Sequence, residues 1–155
     1  MNGNEAIIQK FYTAFARLDY ATMRGCYSED PVFNDPVFGL LQGPEVGAMW
    51  EMLCRNAKDF SLRFSDIQLL DEEYATCRWV AEYTFSKTGR RVTNNIKAHM
   101  RIQEGKITEH TDQFEFWKWS RQALGVTGAL LGWTNFLQNK VRRNARKGLE
   151  KFMSQ

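Results

Sequence analysis

The chain is short of the residues that usually announce a chemistry. It has two histidines, His99 and His110, and three cysteines, Cys26, Cys54 and Cys77. Two histidines leave too few ligands for the usual zinc sites, so no metal is expected. An odd number of cysteines with no CxxC pair argues against a disulfide framework or a zinc ribbon and points to a reducing compartment. Three prolines and eleven glycines in 155 residues exclude collagen-like and low-complexity chains. There is no GxSxG, glycine-rich phosphate loop, HExxH or EF-hand loop, and so no motif that calls for a cofactor. The uncharged stretch Ala123–Leu137 falls short of the roughly 20 residues that cross a bilayer and contains Thr127, Thr134 and Asn135. The opening residues MNGNEAIIQK carry Glu5 and no apolar run, unlike a secretory leader. A cytoplasmic protein is the expectation.

One sign of charge is nearly absent from the last quarter. Residues 118–155 hold Lys118, Arg121, Lys140, Arg142, Arg143, Arg146, Lys147 and Lys151 against Glu150 alone, a net +7 that leaves −4 on residues 1–117. The overall +3 is too small to imply a nucleic-acid partner. What the chain has in excess is aromatic: 11 Phe, 5 Trp and 5 Tyr make 14% of it. Either the core is aromatic or the chain encloses an aromatic-lined cavity. At this length one domain is expected, and 43% hydrophobic residues suffice to fill its core.

Ile7, Ile8, Phe11, Tyr12 and Phe15 share one face of a helix over residues 5–17, with Asn4 as its N-cap. Asp19 starts a short second helix with Met23 and Tyr27 facing in, and Pro31 breaks it. PVFNDPVFG reads as two short extended segments around Asp35-Pro36. Gly43-Pro44 opens a third helix with Val46, Met49, Trp50 and Leu53 as its apolar stripe. The period then changes to two. SLRFSDIQLL, TCRWVAEYTFS, NNIKAHMRIQ and KITEHTDQFEFW predict four antiparallel strands, with turns at Asp71–Glu73, Thr88-Gly89 and Glu104-Gly105. Helices segregated from strands mean α+β. The expected architecture is a cone: a strongly curved antiparallel sheet over three N-terminal helices, with an interior pocket and a C-terminal helical extension. The division is a domain over residues 1–117 and a basic amphipathic tail over 118–155. Residues 127–153 are expected to form one helix with Leu130, Trp133, Leu137, Val141, Leu149 and Phe152 buried against its own domain or a dimer mate. Left free, that stripe with its basic flanks would suit a membrane surface, and the Gly128-to-Gly132 spacing would admit another helix.

The candidate chemistry must come from polar residues among apolar ones. Asp35 stands among Phe33, Pro36, Val37 and Phe38. Desolvation there would raise its pKa and make it a proton shuttle, although an Asp before Pro also caps turns. In KITEHTDQFEF, strand alternation puts His110, Asp112, Phe114 and Phe116 on one face and Ile107, Glu109 and Thr111 on the other. The first face suits an aromatic pocket with a polar patch, but a solvated strand face or a satisfied core pair would have the same pattern. Lys97, His99 and Arg101 fall on the outer side of their strand. Trp79, Tyr83 and Phe85 read as core or pocket wall.

The order of these elements, CYSEDPVFNDPVFG and HMRIQEGKITEHTDQFEFW together resemble the nuclear-transport-factor-2-like superfamily over residues 5–117. Within it the chain resembles ketosteroid isomerases and SnoaL-type polyketide cyclases. Asp35 matches the isomerase base. SnoaL-type cyclases carry a His-x-Asp on the last strand with the Asp as acid/base, which implies that role for Asp112 with His110 as its partner. The two isomerase oxyanion donors are missing: Phe11 stands where the Tyr should be, with Tyr12 one residue off, and Ala98 stands where the protonated Asp should be. Such a donor is worth about 3 kcal/mol, so efficient ketosteroid isomerisation is not expected. Phe11, Tyr12, Phe33 and Phe38, with Trp79, Met100 and Phe114, are the candidate ligand-binding walls. The resemblance implies a pocket for a small hydrophobic molecule and cofactor-free isomerisation, cyclisation, dehydration or epoxide opening. It also implies a homodimer through the outer sheet face. A non-catalytic ligand-binding or dimerisation module, or a membrane-peripheral protein, are the alternatives.

Overall fold

The computed structural model describes residues 2–155. Helices α1 (Gly3–Ala16) and α2 (Tyr20–Gly25) lead into a hairpin of β1 (Tyr27–Asp35) and β2 (Gly39–Gln42), then helix α3 (Pro44–Asn56). Four strands follow, β3 (Ser61–Leu69), β4 (Tyr74–Phe85), β5 (Arg90–Gln103) and β6 (Lys106–Gln113). The chain ends in α4 (Phe116–Leu124), α5 (Val126–Leu131) and α6 (Asn135–Met153). Asn2 rather than Asn4 caps α1, its Oδ1 accepting the Asn4 N–H at 2.8 Å. Asp19 caps α2 through the Thr22 N–H at 3.2 Å. Pro44 stands at the start of α3, where its missing N–H costs nothing.

The six strands make one curved sheet in the order β2-β1-β6-β5-β4-β3. Neighbours are antiparallel except β1 and β6, which run parallel with Phe33 beside His110. The four strands predicted from alternation are present, and the two segments around Asp35 belong to the same sheet. Tyr27 therefore begins a strand; α2 stops at Gly25. Pro31 lies where the β1–β6 register slips between Tyr27 and Val32, the kind of irregularity at which a central strand tolerates a residue without an N–H.

Two expectations about β6 are corrected. The strand ends at Gln113, and Phe116 and Trp117 belong to α4. Phe116, Trp119 and Ala123 recur at helical spacing and pack with Val92 and Leu137 in an apolar cluster of their own. Ile107 does not share a face with Glu109. Arg101 pairs with Glu109 but Ile102 with Ile107, so Thr108 is an extra residue that turns Ile107 into the core beside His110 and Asp112.

The inner side of β5 is Val92, Asn94, Ile96, Ala98, Met100 and Ile102, all buried, while Lys97, His99 and Arg101 point outward. Against this concave side lies an aromatic core centred on Phe11. Its ring meets those of Tyr12, Phe15, Tyr27, Trp50 and His110 at centroid distances of 5.0 to 6.4 Å, edge to face.

The tail is not one helix. α5 stops at Leu131, and Thr134 caps α6 through the Leu137 N–H at 3.3 Å. Gly128 and Gly132 are pressed onto α4: a Cβ on either would collide with the backbone carbonyl or hydroxyl of Ser120. The glycine notch is thus filled from within the chain. Leu137 and Leu149 are buried and Val141 and Phe152 half-buried, but Leu130 and Trp133 face solvent, which corrects the expectation of a single buried stripe. α6 packs against α3. No helix among the described residues is long and apolar enough to cross a membrane.

Candidate active site

Between the concave face of the sheet, α3 and α6 lies an apolar cavity of about 680 Å3. Phe15, Phe38, Ile96, Phe114 and Phe152 are among its apolar walls, and Asp35, Asp112, Trp79, Tyr83 and Asn94 are polar groups that line it. A second hollow of about 790 Å3 near Arg24 is lined by charges that neutralise one another. There Glu51 accepts from Arg24 at 3.3 Å and from Arg55 at 2.9 Å.

Asp112 is held from behind by a chain of buried hydrogen bonds. Trp50 Nε1–H donates to Tyr27 Oη at 2.9 Å, Tyr27 Oη lies 2.7 Å from His110 Nδ1, and His110 Nε2 lies 2.8 Å from Asp112 Oδ1. A carboxylate oxygen only accepts, so His110 Nε2 carries the hydrogen and donates it to Asp112, and the neutral ring accepts the Tyr27 O–H at Nδ1. Trp79 Nε1–H approaches the same oxygen at 3.4 Å. Both donors use Oδ1, and Oδ2 is left to the cavity. Tyr27 is buried, and burial together with the Asp112 charge pushes its pKa well above the usual phenol value.

Asp35 closes the β1–β2 turn. Its Oδ1 accepts the N–H groups of Val37 at 2.9 Å and Phe38 at 2.6 Å. Gly39 completes the turn at φ 71°, a left-handed conformation that favours glycine. The carbonyls of this turn are clamped by α6. Arg146 Nη1 donates to Phe38 O at 3.1 Å and Leu40 O at 2.7 Å, and Gln138 and Arg142 donate to Pro36 O at 3.3 and 3.4 Å. The turn-capping and proton-shuttle readings of Asp35 therefore do not exclude each other: one oxygen caps, and the residue lines the cavity. Burial raises its pKa to about 7, helped by the Asp112 charge and opposed by the two backbone N–H groups and His110.

Of the residues singled out in the sequence, Asp35, Asp112, Phe38, Trp79 and Phe114 share this cavity. His110 stands one layer deeper, fully enclosed by Phe11, Phe33, Tyr27 and Trp50 rings. Phe11, Tyr12, Phe33 and Met100 are also buried behind the wall and are not among the lining residues. They fill the core because the helix and strand faces that carry them meet each other. The Tyr12 hydroxyl is buried without a hydrogen-bond partner among the described residues. Burial, then the Asp112 charge, pushes its pKa well above the usual value. Among the described residues, no group of three or more His, Cys, Asp and Glu side chains could hold a metal ion.

Sequence reasoning missed Tyr27 and Trp50 as supports of His110, and Asn94 as a wall. Asn94 was legible: extending the inward series Ile96, Ala98, Met100 back by two positions reaches it. Its side chain makes no hydrogen bond to another described residue. Tyr83 Oη accepts from Trp119 Nε1–H at 2.9 Å, which frees the phenol proton.

A model of the SnoaL-like domain matches residues 8–110 of the chain. Among curated proteins nothing matches. A putative polyketide cyclase of Pseudomonas putida is similar in structure with a TM-score of 0.64 and 21% identity, covering 79% of this chain and 98% of its own. An LEH-like epoxide hydrolase of M. tuberculosis has a TM-score of 0.67 and 16% identity over 83% of this chain and 95% of its own. An NTF2-like protein of unknown function from Burkholderia pseudomallei reaches 0.67 and 17% identity over 79% and 98%. These likenesses establish the NTF2-like α+β cone, and the matched domain spans α1 to β6. The chain belongs to the SnoaL-like family.

Proposed function

We propose that the chain is a cofactor-free acid/base enzyme acting on a small hydrophobic molecule. The observation that carries this reading is the pair of carboxylates lining one apolar cavity, in different environments. Asp112 is the base. Its Oδ2 takes a proton from a carbon next to a carbonyl, or from a water that opens an epoxide. His110, fixed by Tyr27 and Trp50, is the positioning residue that holds the carboxylate through the Nε2–H bond to Oδ1. Asp35 is the acid that returns a proton to the substrate. Tyr83 and Asn94 offer donors to a developing oxyanion. The similar solved structures described as a cyclase and an epoxide hydrolase fit this reading. The direct test is a panel of hydrophobic enones, polyketide-type β-dicarbonyls and epoxides, read by mass spectrometry for isomerised, cyclised or hydrated product. Binding of panel members without turnover would make the chain a ligand carrier instead.

The acid role of Asp35 sets a pH dependence. The protonated form is the active one, so the rate falls as pH rises through about 7. Stability carries the same signature. An unfolded carboxyl releases its proton near pH ~4, so between there and about 7 the folded state holds the extra proton and stability declines as pH rises. Asp35→Asn retains an acceptor for Val37 and Phe38 and should lose both effects. Rate–pH profiles and urea unfolding at several pH values measure them. An alkaline limb that survives in Asp35→Asn would remove Asp35 from the mechanism.

The reading includes a homodimer through the outer sheet face, where Arg101 pairs with Glu73 at 2.7 Å and lies 3.6 Å from Glu109. Light scattering at micromolar concentration is expected to give twice the chain mass. A monomer would end this part of the proposal.

A further inference from the structure

The C-terminal extension has its apolar residues the wrong way round for a structural cover. α5 presents its glycines to α4, so its large side chains face solvent. Val126 is 76% exposed, Leu130 66%, Trp133 75% and Phe136 68%, with Leu131 beside them. Five large exposed apolar residues within eleven positions make an apolar tip at the α5–α6 junction, where Trp133 Nε1–H donates to Leu130 O at 2.9 Å, and exposed apolar residues gathered in this way mark an interaction surface.

The tip has a predominantly cationic border. From Phe136 the spacing of the helix carries Lys140, Arg143 and Lys147 along the same exposed face of α6. On the α4 side, Arg121 stacks over the Trp117 ring at 4.5 Å, and Trp117 Nε1–H donates to the Ala129 carbonyl of α5 at 3.2 Å. Arg121 therefore borders the tip; Lys118 is exposed on the same helix, 3.7 Å from Glu115. Glu115 and Glu150 are the only acidic residues in this C-terminal region. Apolar side chains projecting from a cationic helix face, with indoles at the boundary, match the requirements of an anionic lipid surface. A second copy of the chain fits less well, because a symmetric pairing would bring like charges together. A nucleic acid would leave Val126, Leu130 and Leu131 without complementary contacts.

We propose that the α5 tip, with the exposed cationic face of α6, docks the protein on an anionic membrane surface. The apolar stripe of α6 is used internally against α3 and the cavity; the docking element is the tip. Docking is peripheral, with Leu130, Trp133 and Phe136 entering the interface and the cations resting on the headgroups. The proposal does not depend on the cavity chemistry.

The test is co-sedimentation of the full chain with vesicles of phosphatidylcholine alone and of phosphatidylcholine mixed with phosphatidylglycerol. Pelleting is expected with the anionic vesicles, weaker with the neutral ones, and reduced by added salt. Leu130→Glu is expected to weaken binding about tenfold or more through loss of one inserted side chain. Lys140→Gln is expected to weaken it about fivefold. Both positions are exposed, so thermal unfolding should match the unaltered protein; should Leu130→Glu unfold, Phe136→Glu takes its place. Three results would overturn the proposal: no lipid-dependent pelleting, pelleting that both Glu variants leave unchanged, or an oligomer in the absence of lipid that Leu130→Glu dissociates. The last would assign the tip to a second copy. A dimer insensitive to Leu130→Glu together with anionic-lipid binding supports the proposal and leaves the tip to the membrane.

Discussion

Asp112→Asn is expected to reduce turnover of any substrate the cavity accepts by about a hundredfold to ten-thousandfold, the range of a positioned general base. The substitution is nearly isosteric. The amide oxygen can still accept from His110 Nε2–H and Trp79 Nε1–H, which both use Oδ1. What is lost is the free carboxylate oxygen that faces the cavity. The expected pattern is therefore a fall in kcat with little change in ligand affinity or in unfolding midpoint. Tyr27→Phe provides the companion measurement. It removes the hydroxyl between Trp50 and His110 and frees Nδ1, so the tautomer that directs Nε2–H at Asp112 is no longer enforced. A smaller loss of kcat with an altered pH profile would mark His110 as acting through Asp112. If Asp112→Asn turns over substrate as fast as the unaltered protein, the catalytic assignment fails and the base must be sought elsewhere in the cavity.

Phe11→Ala is expected to cost about 3–5 kcal/mol of folding stability, the range for deleting a buried aromatic side chain. Phe11 is fully buried, and its ring stands edge-on to those of Tyr12, Tyr27, Trp50 and His110. The void would open beneath the hydrogen-bonded chain that supports Asp112, so activity should fall along with stability. Urea unfolding measures the first effect directly. The resemblance implied a ligand-binding wall at this position, and a wall residue would behave differently: trimming it would alter ligand affinity and leave the unfolding midpoint almost in place. A midpoint shift worth less than about 1 kcal/mol would mean that the Phe11 cluster is not the centre of the core.

The two predictions draw on residues that the sequence treats differently. Asp112 and His110 were legible as a pair because side chains two apart on a strand share a face, whatever the rest of the fold does. Asp35 was legible because a carboxylate flanked by Phe33, Pro36, Val37 and Phe38 is desolvated by its own neighbours. Phe11 was not separable from Phe38 in this way. Both are aromatic residues on apolar faces, and which one fills the core and which one lines the cavity depends on what each element packs against. Proximity of α1 to β6 puts Phe11 on His110; the turn after β1 carries Phe38 to the cavity.

Local periodicity by itself determined the three N-terminal helices, the four long strands with their turns, the α+β class and the basic character of the last helix. These follow from interactions within a few residues along the chain, where period 3.6 and period 2 are imposed by backbone geometry. Three things were decided only by tertiary structure. Thr108 became an extra residue in β6 because its partner strand pairs Arg101 with Glu109 and Ile102 with Ile107, and no pattern within β6 encodes that slip. Tyr27 and Trp50 came to hold His110 across 83 and 60 positions of sequence, joined by 2.7 and 2.9 Å hydrogen bonds that exist only once the sheet has curled over α3. The tail, read as one helix with a buried stripe, broke at Gly132 and turned Leu130 and Trp133 outward, with Gly128 and Gly132 lying against Ser120 where a Cβ would collide. A hydrophobic period tells which side chains share a face. It is the fit of that face against another element, an excluded-volume question settled in three dimensions, that decides whether the face is buried.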